Sequence, residues 1–171
     1  MDTAVVVFES MFGNTEWVAR AIAGGMSAPW DVDVVEVNHA PRSLPSSTVL
    51  LVVGGPTHAF GMSRANTRAD ARTHTDHEVI STTGGLREWL KILTLPRGFP
   101  VATFDTRVRK GHMPGSAAQG AARQLRRTQQ AAVVAHESFW VSGMTGPLLD
   151  GELERARAWG ERLALQTVQA A

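Results

Sequence analysis

Short runs of β-branched and other apolar residues recur along this 171-residue chain, separated by segments whose apolar residues return every three or four positions. Strand and helix must then alternate, and right-handed crossovers place the helices on both faces of a parallel sheet. "TAVVVF" (3–8) reads as a buried strand, followed by a helix from about Asn14 to Met26 with Val18, Ile22 and Met26 on one face. "DVDVVEV" alternates as a second strand nearer an edge, and the wholly apolar "TVLLVVGG" is a third, covered on both faces. "PVATFDT" is the fourth strand, and "AAVVAHESFWV" the fifth, interrupted near His136. Leu86, Leu90 and Leu93 line one side of a helix in "GLREWLKIL". The next helix, from about Ser116 to Thr128, turns Ala118, Ala121, Ala122 and Leu125 inward and Arg123 and Arg127 outward. A last helix, with Asp150 as a candidate cap, buries Leu153, Ala156, Gly160 and Leu163. The fold class is therefore α/β: a doubly wound five-stranded parallel sheet with helices on both faces, expected as a single domain over residues 1–171.

Composition narrows the function. There is no cysteine, which excludes disulfides, iron–sulfur clusters and thiol catalysis, so any redox chemistry must come from a bound cofactor. No run of about 18 apolar residues exists, and Asp2 stands where a secretory signal would carry a cation, so a soluble, cytoplasmic protein with no membrane partner is expected. The net charge is +1, with cations concentrated in "TRVRKGH" and "RQLRRTQQ". No aromatic interleaving or nucleic-acid motif accompanies them, so they read as a solvated helix face rather than a nucleic-acid surface.

Ligands of doubly wound sheets bind beyond the carboxyl ends of the strands, where the winding direction reverses. Those ends fall in residues 9–15, 54–62 and 105–115, all rich in Gly, Ser, Thr, Asn or cations. "SMFGNT" (10–15) joins a strand directly to a helix, so free backbone amides and the positive helix end point at one spot. Ser10, Asn14 and Thr15 add side-chain donors, and Gly13 allows tight closure. No lysine follows, so this is not the GxxxxGK[ST] loop of an ATPase, and GxGxxG is absent. The turn suits a terminal phosphate monoester held mainly by neutral donors; the alternative is a helix capped by Asn14 or Thr15 with no ligand.

On these residues the chain resembles the flavodoxin-like proteins, whose loop runs roughly Ser/Thr-x-Thr-Gly-x-Thr and here reads Ser10, Met11, Phe12, Gly13, Asn14, Thr15. The resemblance covers nearly the whole chain. It implies strand order 2-1-3-4-5, FMN as cofactor with its phosphate in the 10–15 loop, and two further loops on the isoalloxazine ring. One comprises Pro56, Thr57, His58, Ala59, Phe60 and Gly61; the other carries Asp105, Thr106, Arg107 and Gly111. Phe12 departs from the pattern by removing one hydroxyl. By resemblance the function is electron transfer through FMN, with a reductase or acceptor as redox partner. An FMN-dependent reductase of quinones or related small molecules, and a flavodoxin-like binding module without flavin, remain alternatives.

Within those loops, Phe60 offers a ring either to stack on a flavin or to tuck into the core, and His58 either meets the ring edge or is bonded structurally. Arg107, Arg109, Lys110 and His112 make the third loop basic where electron-transfer flavodoxins are typically acidic, which favours the anionic reduced flavin. Arg107 is expected near the O2 side of the ring, with Asp105 and Thr106 positioning the loop. The long polar connection from Pro56 to Gly85 suggests a lid or partner surface. Arg64, Arg68 and Arg72, spaced by four, would line one side of a short helix if that connection folds, facing phosphate, partner or water. His74, Asp76, His77 and Glu78 lack the spacing of a metal site. No GxSxG turn exists, and no side chain is assigned a catalytic role. Trp89, Trp140 and Trp159 are expected in the core, while the places of Trp17 and Trp30 stay open.

Overall fold

The computed structural model describes residues 1–111 and 114–171. Its elements in chain order are β1 (Thr3–Phe8), α1 (Asn14–Met26), β2 (Asp31–Glu36), β3 (Thr48–Pro56), α2 (Ala65–Arg72), α3 (Leu86–Ile92), β4 (Pro100–Val108), α4 (Ala117–Gln129), β5 (Ala132–Val141) and α5 (Glu152–Ala170). The five strands form a parallel sheet in the order β2-β1-β3-β4-β5. The winding direction reverses at β1 and β3, so their carboxyl ends open a crevice there.

Side-chain alternation divides the central strands between two cores. Val6, Phe8, Leu50, Val52 and Phe104 pack under α1 and α5 against Val18, Ile22, Met26, Ala156 and Leu163. Val5, Val7, Leu51, Val53 and Val101 face the opposite way, onto Leu86 and Leu90 of α3 and Ala121 and Leu125 of α4. Two glycines set the α1–α5 approach: a Cβ at Gly25 would collide with the Arg157 carbonyl, and one at Gly160 with the carbonyl of Ile22.

Several expectations need correction. β5 is continuous through His136; its irregularity lies at Val134, which is skipped where Val101 pairs with Val133 and Ala102 with Ala135. Leu153 is exposed, and the buried stripe of α5 runs through Ala156, Trp159, Gly160, Leu163 and Ala164. Asp150 does not cap α5: Gly151 takes the N-cap position with no side-chain cap bond. The expected core tryptophans Trp89 and Trp159 are buried and so is Trp30, whereas Trp17 is 61% exposed. Trp140 is only half-buried, with the guanidinium groups of Arg107 and Arg109 each 5.9 Å from its ring centre.

The connection after β3 is more ordered than its polarity suggests. α2 forms within it, but its central cation does not face phosphate, partner or water. Arg68 is buried, 2.9 Å from both Glu88 Oε1 and Ser63 Oγ. Past α2 the chain returns to the β1–α1 turn, where the Ile80 amide donates to the Met11 carbonyl and the Ser81 amide to that of Ser10. Met11, Ala71 and Val79 form a small apolar cluster there, with Phe12 against it. Among the described residues, no helix is long and apolar enough to cross a membrane.

Candidate functional site

β1 ends at Phe8, and the turn that follows is held from below. The Ser10 amide donates to Ser81 Oγ at 3.0 Å, and Ser81 Oγ donates in turn to Glu36 Oε1 at 2.7 Å. With its backbone fixed to this strap, Ser10 turns its hydroxyl back into the loop, where Oγ accepts the Gly13 amide at 3.1 Å. That bond occupies an oxygen lone pair and leaves the hydroxyl proton for another acceptor. Gly13 is the N-cap of α1 at φ 96°, in the left-handed region that favours glycine.

No side chain caps α1, contrary to the ligand-free alternative in which Asn14 or Thr15 would do so. Asn14 instead donates to the Thr145 carbonyl at 3.2 Å. Thr15 is buried with its hydroxyl 2.7 Å from that of Thr106, so the pair joins the first turn of α1 to the end of β4. Two hydroxyls that share one hydrogen bond retain one proton to donate elsewhere. The first-turn amides of α1 also remain available, together with the positive end of its dipole.

α4 starts beside the same crevice but is closed to an anion. Its first amides are taken: Ala117 donates to Thr57 Oγ at 2.9 Å, Ala118 to Asp105 Oδ2 at 2.9 Å and Gln119 to Ser116 Oγ at 3.3 Å. Asp105 is thus fully buried as a helix cap and does not line the crevice. Burial pushes its carboxyl above the usual carboxylate range, opposed by Ser116, the Ala118 amide, Ser138 and Arg107. Among the described residues, of the two helices that begin at the crevice, only α1 presents free donors.

Above the α1 turn lies a cavity of about 260 Å³ lined by Ser10, Met11, Phe12, Asn14 and Thr15, by Pro56, Thr57 and His58, and by Thr106 and Arg107. The structure therefore brings together most of the residues singled out in the three loops. Ala59, Phe60 and Gly61 line a neighbouring cleft instead. Gly111 carries φ 34° and lines neither space, and His112 lies outside the described residues. Arg107 donates to the Gly115 carbonyl at 3.3 Å while lying near Trp140, so it is braced on two sides.

His58 forms the wall between the two spaces, its Nδ1 3.0 Å from Thr67 Oγ. Burial, then the nearby Arg68 charge, lowers its pKa and favours the neutral imidazole. Phe60 is not tucked into the core: it is half exposed at the tip of a tight turn closed by the His58 amide on the Gly61 carbonyl at 2.8 Å and the reverse bond at 3.1 Å. Ala59 and Phe60 occupy φ 45° and 67° in that turn, a conformation that ordinarily asks for Asn-Gly. The turn also rests on Gly115, where a Cβ would stand 2.7 Å from the Phe60 carbonyl oxygen.

Sequence reasoning missed Thr67, Asp70 and Ala71, which line the cavity from α2, and Val141 and Met144, which line it after β5. The second pair had a signal, because β5 also ends at the crevice and its loop belongs with the other three. The first group had only the four-residue spacing of Arg64, Arg68 and Arg72, which allowed a short helix without showing that its Thr67–Ala71 face meets the cavity.

The flavodoxin family model matches residues 6–87. Among solved structures, the flavodoxin of Streptococcus pneumonia TIGR4 is 19% identical with a TM-score of 0.65, covering 96% of this chain and 99% of that one. An archaeal flavodoxin is 19% identical with a TM-score of 0.61, covering 96% of this chain and 98% of its own. Oxidised flavodoxin 1 from Bacillus cereus is 17% identical with a TM-score of 0.59, covering 99% of both chains. No curated protein matches the sequence. These structural likenesses carry the fold, and the sequence match falls on the stretch holding the β1–α1 turn. The chain therefore has the flavodoxin-like fold, and its residues 6–87 match the flavodoxin family, whose cofactor is FMN.

Proposed function

We propose that this chain binds FMN in the cavity above the β1–α1 turn and passes electrons between redox partner proteins. The observation that carries the reading is the contrast between the two helix starts, α4 with its amides capped by side chains and α1 with none. A phosphate at α1 would meet backbone amides, the free proton of Ser10 and the one proton that Thr15 and Thr106 have to spare. Phe12 removes a hydroxyl from the family pattern, yet Thr106 stands at the cavity beside Thr15 and supplies one from β4. The donor set therefore fits a phosphate monoester.

Bound FMN would supply one- and two-electron transfer. Pro56, Thr57 and His58 on one side and Thr106 and Arg107 on the other would position the ring system, with Val141 and Met144 excluding water at the mouth. The deciding experiment is an absorbance and fluorescence titration of the purified protein with FMN and with riboflavin. Tight FMN binding and at least tenfold weaker riboflavin binding are expected; equal affinity would remove phosphate recognition, and no FMN binding at micromolar protein would end the reading.

Braced by Trp140 and the Gly115 carbonyl, Arg107 would hold a fixed positive charge at the ring's edge and favour the anionic reduced form. A unit charge acting at that range is worth about 1 kcal/mol, or about 40 mV for a one-electron step. Arg107→Gln is accordingly expected to make the second one-electron potential more negative by about that amount. A redox titration with that potential unmoved would remove Arg107 from the ring's surroundings.

A further inference from the structure

Behind the 58–61 turn lies a second cleft of about 570 Å³, sharing only His58 and Thr67 with the first. Four arginines from three elements line it: Arg64 at the start of α2, Arg87 on α3, and Arg123 and Arg127 on α4. No carboxylate does, and among the described residues none of the four is in an ion pair. Arg87 is held ready by donating to the carbonyls of Met62 at 3.0 Å and Ser63 at 3.3 Å, which leaves N–H groups of its guanidinium to spare. Burial, and after it the neighbouring Arg64 charge, lowers its pKa. The amide side chains of Asn66, Gln119 and Gln124 add neutral donors, and the exposed ring of Phe60 stands at the rim.

We propose that this cleft binds a nucleotide carrying at least two phosphate groups, the phosphates on the arginines and the base against Phe60. Guanidinium groups match phosphate oxygens bidentately, and two phosphates relieve the repulsion among four cations better than one. The α4 amides are already capped, so the arginines carry the recognition. A small ligand is favoured over a macromolecule because the cations line a recess of ligand size rather than a flat or convex face. The strained turn that holds Phe60 outward gains a purpose in the same stroke, since backbone of that kind persists where surrounding structure fixes it for use. The site does not depend on the FMN reading, and no flavin is needed to test it.

The test is calorimetric titration with ADP, inorganic phosphate and adenosine on the wild type, the Arg123→Glu/Arg127→Glu double variant and Ser10→Ala. Both arginines are exposed, so charge reversal should leave the fold and FMN affinity intact. One ADP per chain is expected, at least about tenfold tighter than either fragment and weakened about tenfold or more by the double variant. Affinity should fall with added salt and stay unchanged in Ser10→Ala. The proposal is overturned by absent ADP binding, by binding insensitive to the arginines, or by loss in Ser10→Ala, which would put ADP in the first cavity. Capture of an oligonucleotide or an acidic protein through these arginines, with ADP failing to compete, would also overturn it in favour of a macromolecular surface.

Discussion

Ser10→Ala is expected to weaken FMN binding by about 10- to 100-fold while leaving riboflavin binding unchanged. A hydrogen bond to a charged partner is worth about 1.5–3 kcal/mol, and each 1.4 kcal/mol is a factor of ten. Ser10 qualifies for the full amount because its oxygen is already oriented by the Gly13 amide and its backbone is clamped to Ser81, so little ordering is left to be done on binding. Thr15→Ala removes half of a pair, and Thr106 stays in place to reorient its hydroxyl, so the single loss should be smaller and the Thr15→Ala/Thr106→Ala loss larger than the sum of the two. Direct titration of each variant with both flavins separates the possibilities. If Ser10→Ala weakens riboflavin as much as FMN, the hydroxyl supports the loop rather than the phosphate. If it weakens neither, the phosphate does not lie at α1.

The reach of sequence reasoning followed where apolar residues carry the structure. β1, α1 and β3 were legible because Val6, Val18, Ile22 and Leu50 alternate or repeat with the period of the element and all face the core. The β1–α1 turn was legible for the same reason, since the period changes abruptly at Ser10. α2 was legible only conditionally, from the spacing of Arg64, Arg68 and Arg72, because the residue it buries at its centre is Arg68, and a helix held by an ion pair displays no apolar stripe. Trp140 misled in the opposite way: a tryptophan in a strand suggests core, yet near the carboxyl end of an edge strand it lies beside Arg107 and Arg109. The clustering of Arg64 and Arg87 with Arg123 and Arg127 was invisible, because it arises where the fold brings the start of α2, α3 and α4 around one cleft, and Arg123 and Arg127 alone looked like ordinary solvated charge.

Arg68→Met should cost about 3 kcal/mol of stability, the low end of the loss typical of breaking a buried ion pair, because Arg68 is buried but its partner Glu88 is 45% exposed. The side chain of Arg68 is only 4% exposed, and its removal strands more than Glu88. Glu9, directly before the β1–α1 turn, is itself buried: Oε1 accepts the Leu86 amide at 2.6 Å, and Oε2 is left without a well-formed hydrogen bond. A Cβ at Gly85 would strike both Glu9 and Arg68, so the two groups share one packed space. Burial pushes the Glu9 carboxyl above its usual range, while Ser63, the Leu86 amide and the Arg68 guanidinium oppose the shift. A carboxyl with a raised folded pKa contributes stability that is complete below its unfolded pKa and is lost as pH rises through the folded one. Glu88 runs the other way: its pKa is lowered by the Arg68 hydrogen bond and charge against the pull of burial, so its contribution is present above the unfolded value and lost as pH falls. Denaturant unfolding from pH 4 to pH 8 should therefore show Glu9→Gln close to wild type at the acid end and gaining on it as pH rises. The gain should be larger in the Arg68→Met background, where the cation that holds down the Glu9 pKa is gone. A pH-independent difference between Glu9→Gln and wild type would mean that Glu9 ionises as freely in the fold as in the unfolded chain, and an Arg68→Met loss below about 1 kcal/mol would mean that its pair with Glu88 behaves as an exposed one.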